Sequence, residues 1–222
     1  VIGRIYSSAD LAYYNQGDKM PSVIVNNINT SIDSVLLPTM ANAQDDCTRI
    51  KEMTRRAIKM STYAMAPLMM GLAFCAEPII RLVLTEKWLP CVPYLRIFCI
   101  TYMFYPIHTA NLNAIKAMGR SDMFLKLEIA KKIVGIFLLI LTMNLGVMAM
   151  AYSLLVGSVL NQIINSWPNR KLLLYGYTEQ IKDILPSILL AVVMGSCVYF
   201  VGFIHLPTIV VLLLQICMGA II

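Results

Sequence analysis

Thr85-Glu86-Lys87-Trp88-Leu89-Pro90-Cys91-Val92-Pro93-Tyr94 is a polar, aromatic turn. Behind it a mostly apolar segment runs from Leu95 to Met118, and Gly119-Arg120-Ser121-Asp122 closes it. Aromatic and charged residues gather at membrane–water interfaces, and an apolar run of this length spans the hydrocarbon core. The stretch therefore reads as an interface, a spanning helix and the opposite interface. Working outward, the chain repeats this pattern in both directions.

The composition agrees. Of 222 residues, 59% are hydrophobic and 14% charged, with mean hydropathy +0.72. A soluble domain is roughly 45–50% apolar and about 25% charged. The surplus cannot be hidden in one core of this size, so the expectation is an all-α, polytopic membrane helix bundle. The net charge of +6 does not point to nucleic acid. The basic residues cluster between apolar segments, where they set topology. The six cysteines form no C-x-x-C pair, and four lie in apolar segments, where they serve as small apolar filler. The chain starts at Val1 and stops at Ile221-Ile222 inside an apolar run. The expectation is a fragment of a larger membrane protein.

About seven transmembrane helices are expected. Ser7-Ser8-Ala9-Asp10 is turn-like and caps the short run that follows. The first span runs from Pro21, which starts it, to Met40. The second covers Met60 to Ala76, with a kink at Pro67. The third is Leu95 to Met118, with Pro106 inside. The fourth starts near Phe124 and reaches Leu145, with Lys131 and Lys132 snorkelling to the interface. The fifth, Val147 to Trp167, is ended by Pro168. The sixth is Ile184 to Phe203, and after His205-Leu206-Pro207 a seventh begins at Thr208. The segments 41–59, 116–132 and 169–183 carry five, five and three Lys/Arg, against five on the other side. The positive-inside rule makes those three cytoplasmic and puts the Trp88 turn outside.

Two helix faces draw attention. Ser22, Asn26, Asn29, Thr30 and Asp33 fall at i, i+4, i+7, i+8 and i+11. A polar stripe on a spanning helix must face protein or water. Asp33 is a candidate for substrate or ion contact, or it reaches water at the inner end. Asn26, Asn29 and Thr30 form a hydrated wall, or bond to neighbouring helices. On the third span Thr101, Tyr105, His108 and Asn111 again share a face. A histidine ordinarily changes charge near neutral pH, which makes His108 a candidate for proton coupling, or it is a packing residue. Lys116 lies near the inner end of that face. Arg96, near the outer end of the span, meets an anion or snorkels. Asn161, Gln162 and Asn165 read as packing contacts. No G-x-S-x-G, phosphate loop, H-E-x-x-H or carboxylate pair is present, so neither an enzyme nor a metal site is expected.

Thr85 to Ile97 is similar to the "G-x-x-W-x-x-A-V-P-x-L-x-I" signature of the Wzx-like oligosaccharide flippases, polysaccharide exporters of the MATE-like MOP superfamily. Leu11-Ala12-Tyr13-Tyr14-Asn15-Gln16 resembles their "L-G-Y-Y-x-R", Val35-Leu36-Leu37-Pro38 their "V-L-x-P", and Asn111 with Gly119-Arg120-Ser121-Asp122 their "N…G-R-x-D". Ala12, Gln16 and Thr85 stand where the family has Gly, Arg and Gly. The resemblance implies two lobes around a central cavity, with this chain holding the second. Residues 1–20 are then an outer-side connection and the tail of a preceding helix, 21–170 the second-lobe bundle, and 171–222 trailing helices. It implies a multi-pass protein of the bacterial inner membrane. Such a protein moves an undecaprenyl-diphosphate-linked oligosaccharide by alternating access, partnered by membrane lipids and a missing first lobe. No cofactor is implied beyond H⁺ or Na⁺ coupling through Asp33 or His108. Competing readings are a drug/cation antiporter of the same superfamily, a membrane enzyme of polysaccharide assembly, and a scaffold.

Overall fold

The computed structural model describes residues 2–201 together with 214, 215, 217 and 219. Among them are nine α-helices, one 3₁₀ helix and no strand. The helices are α1 (Ile2–Ile5), α2 (Ser8–Ala41), α3 (Cys47–Phe74), α4 (Ala76–Val83), α5 (Val92–Met103), α6 (Tyr105–Ala117), α7 (Ser121–Thr142), α8 (Val147–Leu172) and α9 (Tyr177–Val201). The 3₁₀ helix, Glu86–Cys91, is the Trp88 turn. The all-α membrane bundle is thus the observed architecture. The expected seventh span and the turn before it lie almost wholly outside the described residues.

Helix ends follow local chemistry more than apolar composition. Ser7 caps α2 by a reciprocal box: its Oγ accepts from the Asp10 amide at 3.1 Å, and the Asp10 carboxylate accepts from the Ser7 amide at 3.2 Å. That cap starts the helix well before Pro21. Pro21 therefore sits inside α2 rather than at its start. Its ring displaces the carbonyl four residues back, which is that of Gly17. Gly17 is pressed against the next layer: a Cβ there would lie 2.7 Å from Tyr94 Cβ and 2.9 Å from the Leu95 nitrogen. Asp46 likewise caps α3, accepting from the Arg49 amide at 2.9 Å. Most of the charged segment 41–59 is consequently helix, and the connection shrinks to 42–46.

The prolines divide. α3 continues through Pro67, and the sharp change of direction comes at Cys75, where α3 and α4 meet at 66°. α8 likewise runs through Pro168 to Leu172. Pro106 does interrupt its span: α5 and α6 separate at Phe104, with the proline in the first turn of α6. α7 begins at Ser121, earlier than expected, which places Lys131 and Lys132 about 15 Å along it.

By length and apolarity alone, α8 and α9 are long enough to cross a membrane, and the bent pair α3–α4 makes a third crossing if counted as one. The other long helices carry polar faces, charges or the Phe104 break. α2 packs on α5 and α6, α9 lies along α3, and α7 rests on α8. Met40, Ile50, Ala117, Leu173 and Tyr175 share one apolar cluster. The connections 42–46, 118–120 and 173–176 therefore converge at one end of the bundle. At the other end Tyr6, Leu11, Tyr94, Val147 and Met150 pack together.

Candidate functional site

α2 and α7 make little direct contact, and between them lies a cavity of about 470 Å³ floored by α5, α6 and α8. Asn29 and Asp33 come to it from α2, Thr101 from α5, and Tyr105 and His108 from α6. Five residues from the two sequence faces are thus gathered on one wall. The helical break at Phe104 does not destroy the face, because Tyr105, His108 and Leu112 continue it.

The other candidates lie elsewhere. Asn26 and Thr30 are exposed on α2 beside the cavity, and the Thr30 hydroxyl donates to the Asn26 carbonyl at 2.8 Å. Asn111 is fully buried and turned away from the cavity. It lies three residues after His108, which on an α-helix is about 60° round the axis. Its Oδ1 accepts from Asn169 at 2.7 Å and from Gln180 at 3.1 Å, and its Nδ2 donates to Gln180 Oε1 at 2.9 Å. Arg96 is exposed and its Nε donates to the Ala73 carbonyl at 3.3 Å. Lys116 lies 4.7 Å over the Phe124 ring. Neither basic group lines the cavity.

Four features of the wall escaped sequence reading. The first is Lys131, the one basic residue on it among the described residues; its side chain is 15% exposed and is paired with Glu128. The interface assigned to Lys131 followed from the apolar run starting at Ile133, whereas the helix holds it deeper. The second is Asn161 and Asn165, which line the cavity instead of only packing between helices. The third is a row of rings. Tyr14–Phe98, Phe98–Tyr102, Tyr102–Tyr105 and Tyr105–His108 have centroids 5.1, 6.0, 5.1 and 5.8 Å apart. The Tyr102 hydroxyl is anchored by Asp18 on α2. The fourth is a set of acceptors: the Oδ1 atoms of Asn29, Asn161 and Asn165 are buried and have no hydrogen-bond partner among the described residues.

His108 is well supported. Asn165 Nδ2 lies 3.3 Å from its Nδ1, and Ser158 Oγ lies 3.4 Å from its Nε2. Ser158 in turn donates to the Thr101 carbonyl at 3.3 Å. A neutral imidazole with its proton on Nε2 matches all three contacts in one direction. Asp33 is held from below: its Oδ1 accepts from Asn113 Nδ2 at 2.6 Å.

The cavity is graded along its length. Tyr14, Phe98, Leu139 and Met150 make one end aromatic and apolar. Asn29, Asp33, His108, Lys131 and Asn165 make the other polar. Tyr14 and Asn29 are fifteen residues apart on one helix, roughly 22 Å. Such a site suits an elongated, amphipathic ligand.

The comparisons with known proteins bear on the fold as a whole. A family described as "Polysaccharide biosynthesis protein" matches residues 1–93. The chain is 24% identical over 205 residues to the teichuronic acid biosynthesis protein TuaB of Bacillus subtilis (strain 168), covering 91% of this chain and 42% of that one. It is 25% identical over 211 residues to the lipopolysaccharide biosynthesis protein WzxC of Escherichia coli (strain K12), covering 95% and 40%. The chain thus spans about two-fifths of the length of these relatives. Among solved structures it superposes on the lipid II flippase MurJ in an inward closed conformation with TM-score 0.81 at 18% identity, over 97% of this chain and 46% of that one. The resemblance first read from the Trp88 turn is therefore shown: over nearly its whole length this chain is similar to proteins of polysaccharide and lipopolysaccharide biosynthesis, and it has the fold of just under half of a lipid flippase.

Proposed function

We propose that this chain is the second lobe of a transporter that moves a lipid-linked oligosaccharide across the bacterial inner membrane by alternating access. The observation that carries the reading is the graded cavity. Its aromatic end offers rings to apolar surface, and its polar end offers hydroxyl, amide and ionic partners to a saccharide headgroup. Carbohydrate and isoprenoid differ in the same sense as the two ends. A first lobe completes the pathway, and α2, α5, α6, α7 and α8, from Tyr14 to Asn165, form the wall described above. The basic connections at the Tyr175 end face the cytoplasm by the positive-inside rule. The reaction is transport, not catalysis, and H⁺ or Na⁺ couples to it through Asp33, the one acidic residue on the wall among the described residues. A drug/cation antiporter is less well matched, because Lys131 sets a cation against a cationic ligand.

Two measurements test this reading. Cysteines placed at Asp33 and His108 in the full-length protein should react with water-soluble thiol reagents, and a lipid-linked oligosaccharide should slow that reaction. Complete protection at both positions without substrate would remove the wet pathway. A reporter fused after Gly119 should read cytoplasmic and one after Glu86 external; the reverse pattern would overturn the orientation.

A further inference from the structure

We infer that α4 is an interfacial helix lying in the outer leaflet of the membrane, with Ile79, Leu82 and Val83 among the acyl chains and Glu77 and Arg81 toward water. Its partner is a lipid surface, held without any need for anionic headgroups. Only the choice of leaflet rests on the orientation proposed above. α4 stands apart from the cavity, which no residue of 72–91 lines.

Three rows of residues run along α4 and its C-cap. Ala76, Ile80 and Leu84 fall at i, i+4 and i+8 and face the bundle, the first two fully buried. Glu77 and Arg81, at i and i+4, are exposed. Ile79, Leu82 and Val83, at i, i+3 and i+4, make the third row, in which Leu82 and Val83 are 48% and 60% exposed. At about 100° per residue, the charged and apolar rows flank the buried one on nearly opposite sides of the helix. Deep in hydrocarbon the charged row is costly, and in open water the apolar row is. A helix at the boundary meets protein, lipid and water at once. The apolar row also continues a stripe on α3, where Met60, Tyr63, Ala64 and Leu68 are exposed at i, i+3, i+4 and i+8.

The depth of α4 agrees. Arg55 and Lys59, paired with Asp183, mark the inner boundary on this flank. With α3 upright in the bilayer, the segment from Met60 to Phe74 rises about 22 Å. α4 departs at 66°, so its 8 residues carry the chain only about 5 Å further in that direction. Together they reach about 27 Å, close to the roughly 30 Å of a hydrocarbon core. α4 thus ends where the hydrocarbon ends, and Glu86, Lys87 and half-buried Trp88 follow at once. Trp88 is held edge-on by Tyr13 with ring centroids 6.0 Å apart, and tryptophan favours that boundary. The charges are balanced as well. Arg81 Nη2 donates to Glu77 at 3.0 Å and its Nη1 to Glu86 at 2.8 Å, and Glu77, Arg81, Glu86 and Lys87 cancel over 76–91. An anionic headgroup would have to displace two carboxylates from one guanidinium. Apolar burial, not headgroup charge, therefore holds the helix.

The test uses the full-length protein in phosphatidylcholine nanodiscs, without other exposed cysteines. Spin labels are placed singly through Glu77→Cys, Leu82→Cys, Val83→Cys and Glu86→Cys. The ratio of collisions with oxygen to collisions with a water-soluble nickel complex locates each label. At Leu82 and Val83 that ratio should be about fivefold or more above its value at Glu77 and Glu86. Adding phosphatidylglycerol should change each ratio by less than about twofold. Equal, oxygen-rich ratios at all four positions would make α4 a continuation of the span and overturn the inference. Nickel-rich ratios at Leu82 and Val83 would put the helix in water and also overturn it. Low collision rates with both agents there would mean that protein, the first lobe or a second copy, covers the apolar row, which overturns it too. A larger response to phosphatidylglycerol would overturn the assignment in favour of an anionic headgroup site. None of these ratios depends on what the protein transports, so they can fail while the transport reading stands. A reporter after Glu86 that reads cytoplasmic would instead overturn the choice of leaflet alone.

Discussion

Thr85 holds φ +90° and ψ +162°, a conformation that is almost reserved for glycine. It sits where the peptide leaves α4 and enters the 3₁₀ turn, and its amide still donates to the Ile80 carbonyl at 3.1 Å. The Cβ at that position makes the turn strained without making it impossible. Thr85→Gly should therefore stabilise the protein by about 1 kcal/mol, read as a higher midpoint in a thermal melt in detergent; an unchanged or lower midpoint would show that the turn is not strained. The family signature has Gly at this position, and the backbone supplies the reason. Other residue-scale features were legible to different degrees. Asn29, Asp33, Thr101, Tyr105 and His108 were readable because helical periodicity alone puts them on two faces. Asn111 was not, because 60° of helix rotation separates a cavity wall from a buried network. Lys131 was not, because depth along a helix is fixed by where the helix starts, and the apolar run gave a later start than Ser121.

At the scale of elements, the contact of α3 with α9 is the clearest case of pairing that composition cannot show. Asp183 lies 128 residues from Arg55 yet accepts from its Nε at 2.7 Å and its Nη2 at 2.8 Å. Lys59 adds a contact at 3.1 Å and the Tyr175 hydroxyl one at 3.0 Å. Burial and the Asp183 carboxylate hold the Tyr175 phenol above its ordinary pKa, so it stays a donor. Lys51 extends the cluster, bonding the Leu174 carbonyl at 2.8 Å and pairing with Glu179 at 3.3 Å. In the sequence these residues read as topology-setting charges in separate loops. In the fold they tie the first turns of α9 to α3. Asp183 is 5% exposed while Arg55 and Lys59 are 44% and 49% exposed. Breaking a buried pair costs several kcal/mol, but half-exposed cations are screened. Asp183→Ala should accordingly destabilise by about 1–3 kcal/mol. Asp183→Asn should cost less, since an amide still accepts. A double-mutant cycle with Arg55→Met should show coupling between the two sites; strict additivity would mean that the ion pair does not join the helices. The helices themselves were legible in type but not in number, because the third expected span divides at Phe104 and α4 breaks away from α3 at Cys75. Their ends were not legible either, because caps such as Ser7 and Asp46 carry helix into segments too polar to be read as spans.

At the scale of the whole molecule, the two sides of the bundle differ in what they can face. Ile133, Ile136, Phe137, Ile140 and Leu141 cover the outer side of α7 and are all more than half exposed. Such a surface suits hydrocarbon. α2 presents the opposite chemistry: Asn26, Asn27, Thr30, Ser31 and Ser34 are all exposed on it. Unsatisfied polar groups in lipid cost several kcal/mol each. Three of the hydroxyls soften that cost by donating to their own helix, Thr30 to Asn26, Ser31 to Asn27 and Ser34 to Ser31. The asparagine side chains at 26 and 27 bring both donors and acceptors to the same exposed face. The polar face of α2 must therefore meet water or protein, whereas the apolar side of α7 suits lipid. Spin labels placed singly by cysteine substitution in the full-length protein in vesicles can separate the two. Labels at Asn26 and Thr30 should collide with a water-soluble paramagnetic nickel complex, or be immobilised by a protein neighbour. Labels at Phe137 and Ile140 should collide with oxygen, which partitions into lipid. High oxygen and low nickel accessibility at Asn26 and Thr30 would put the polar stripe in the bilayer. The cavity between α2 and α7 would then open sideways to lipid rather than toward an aqueous pathway.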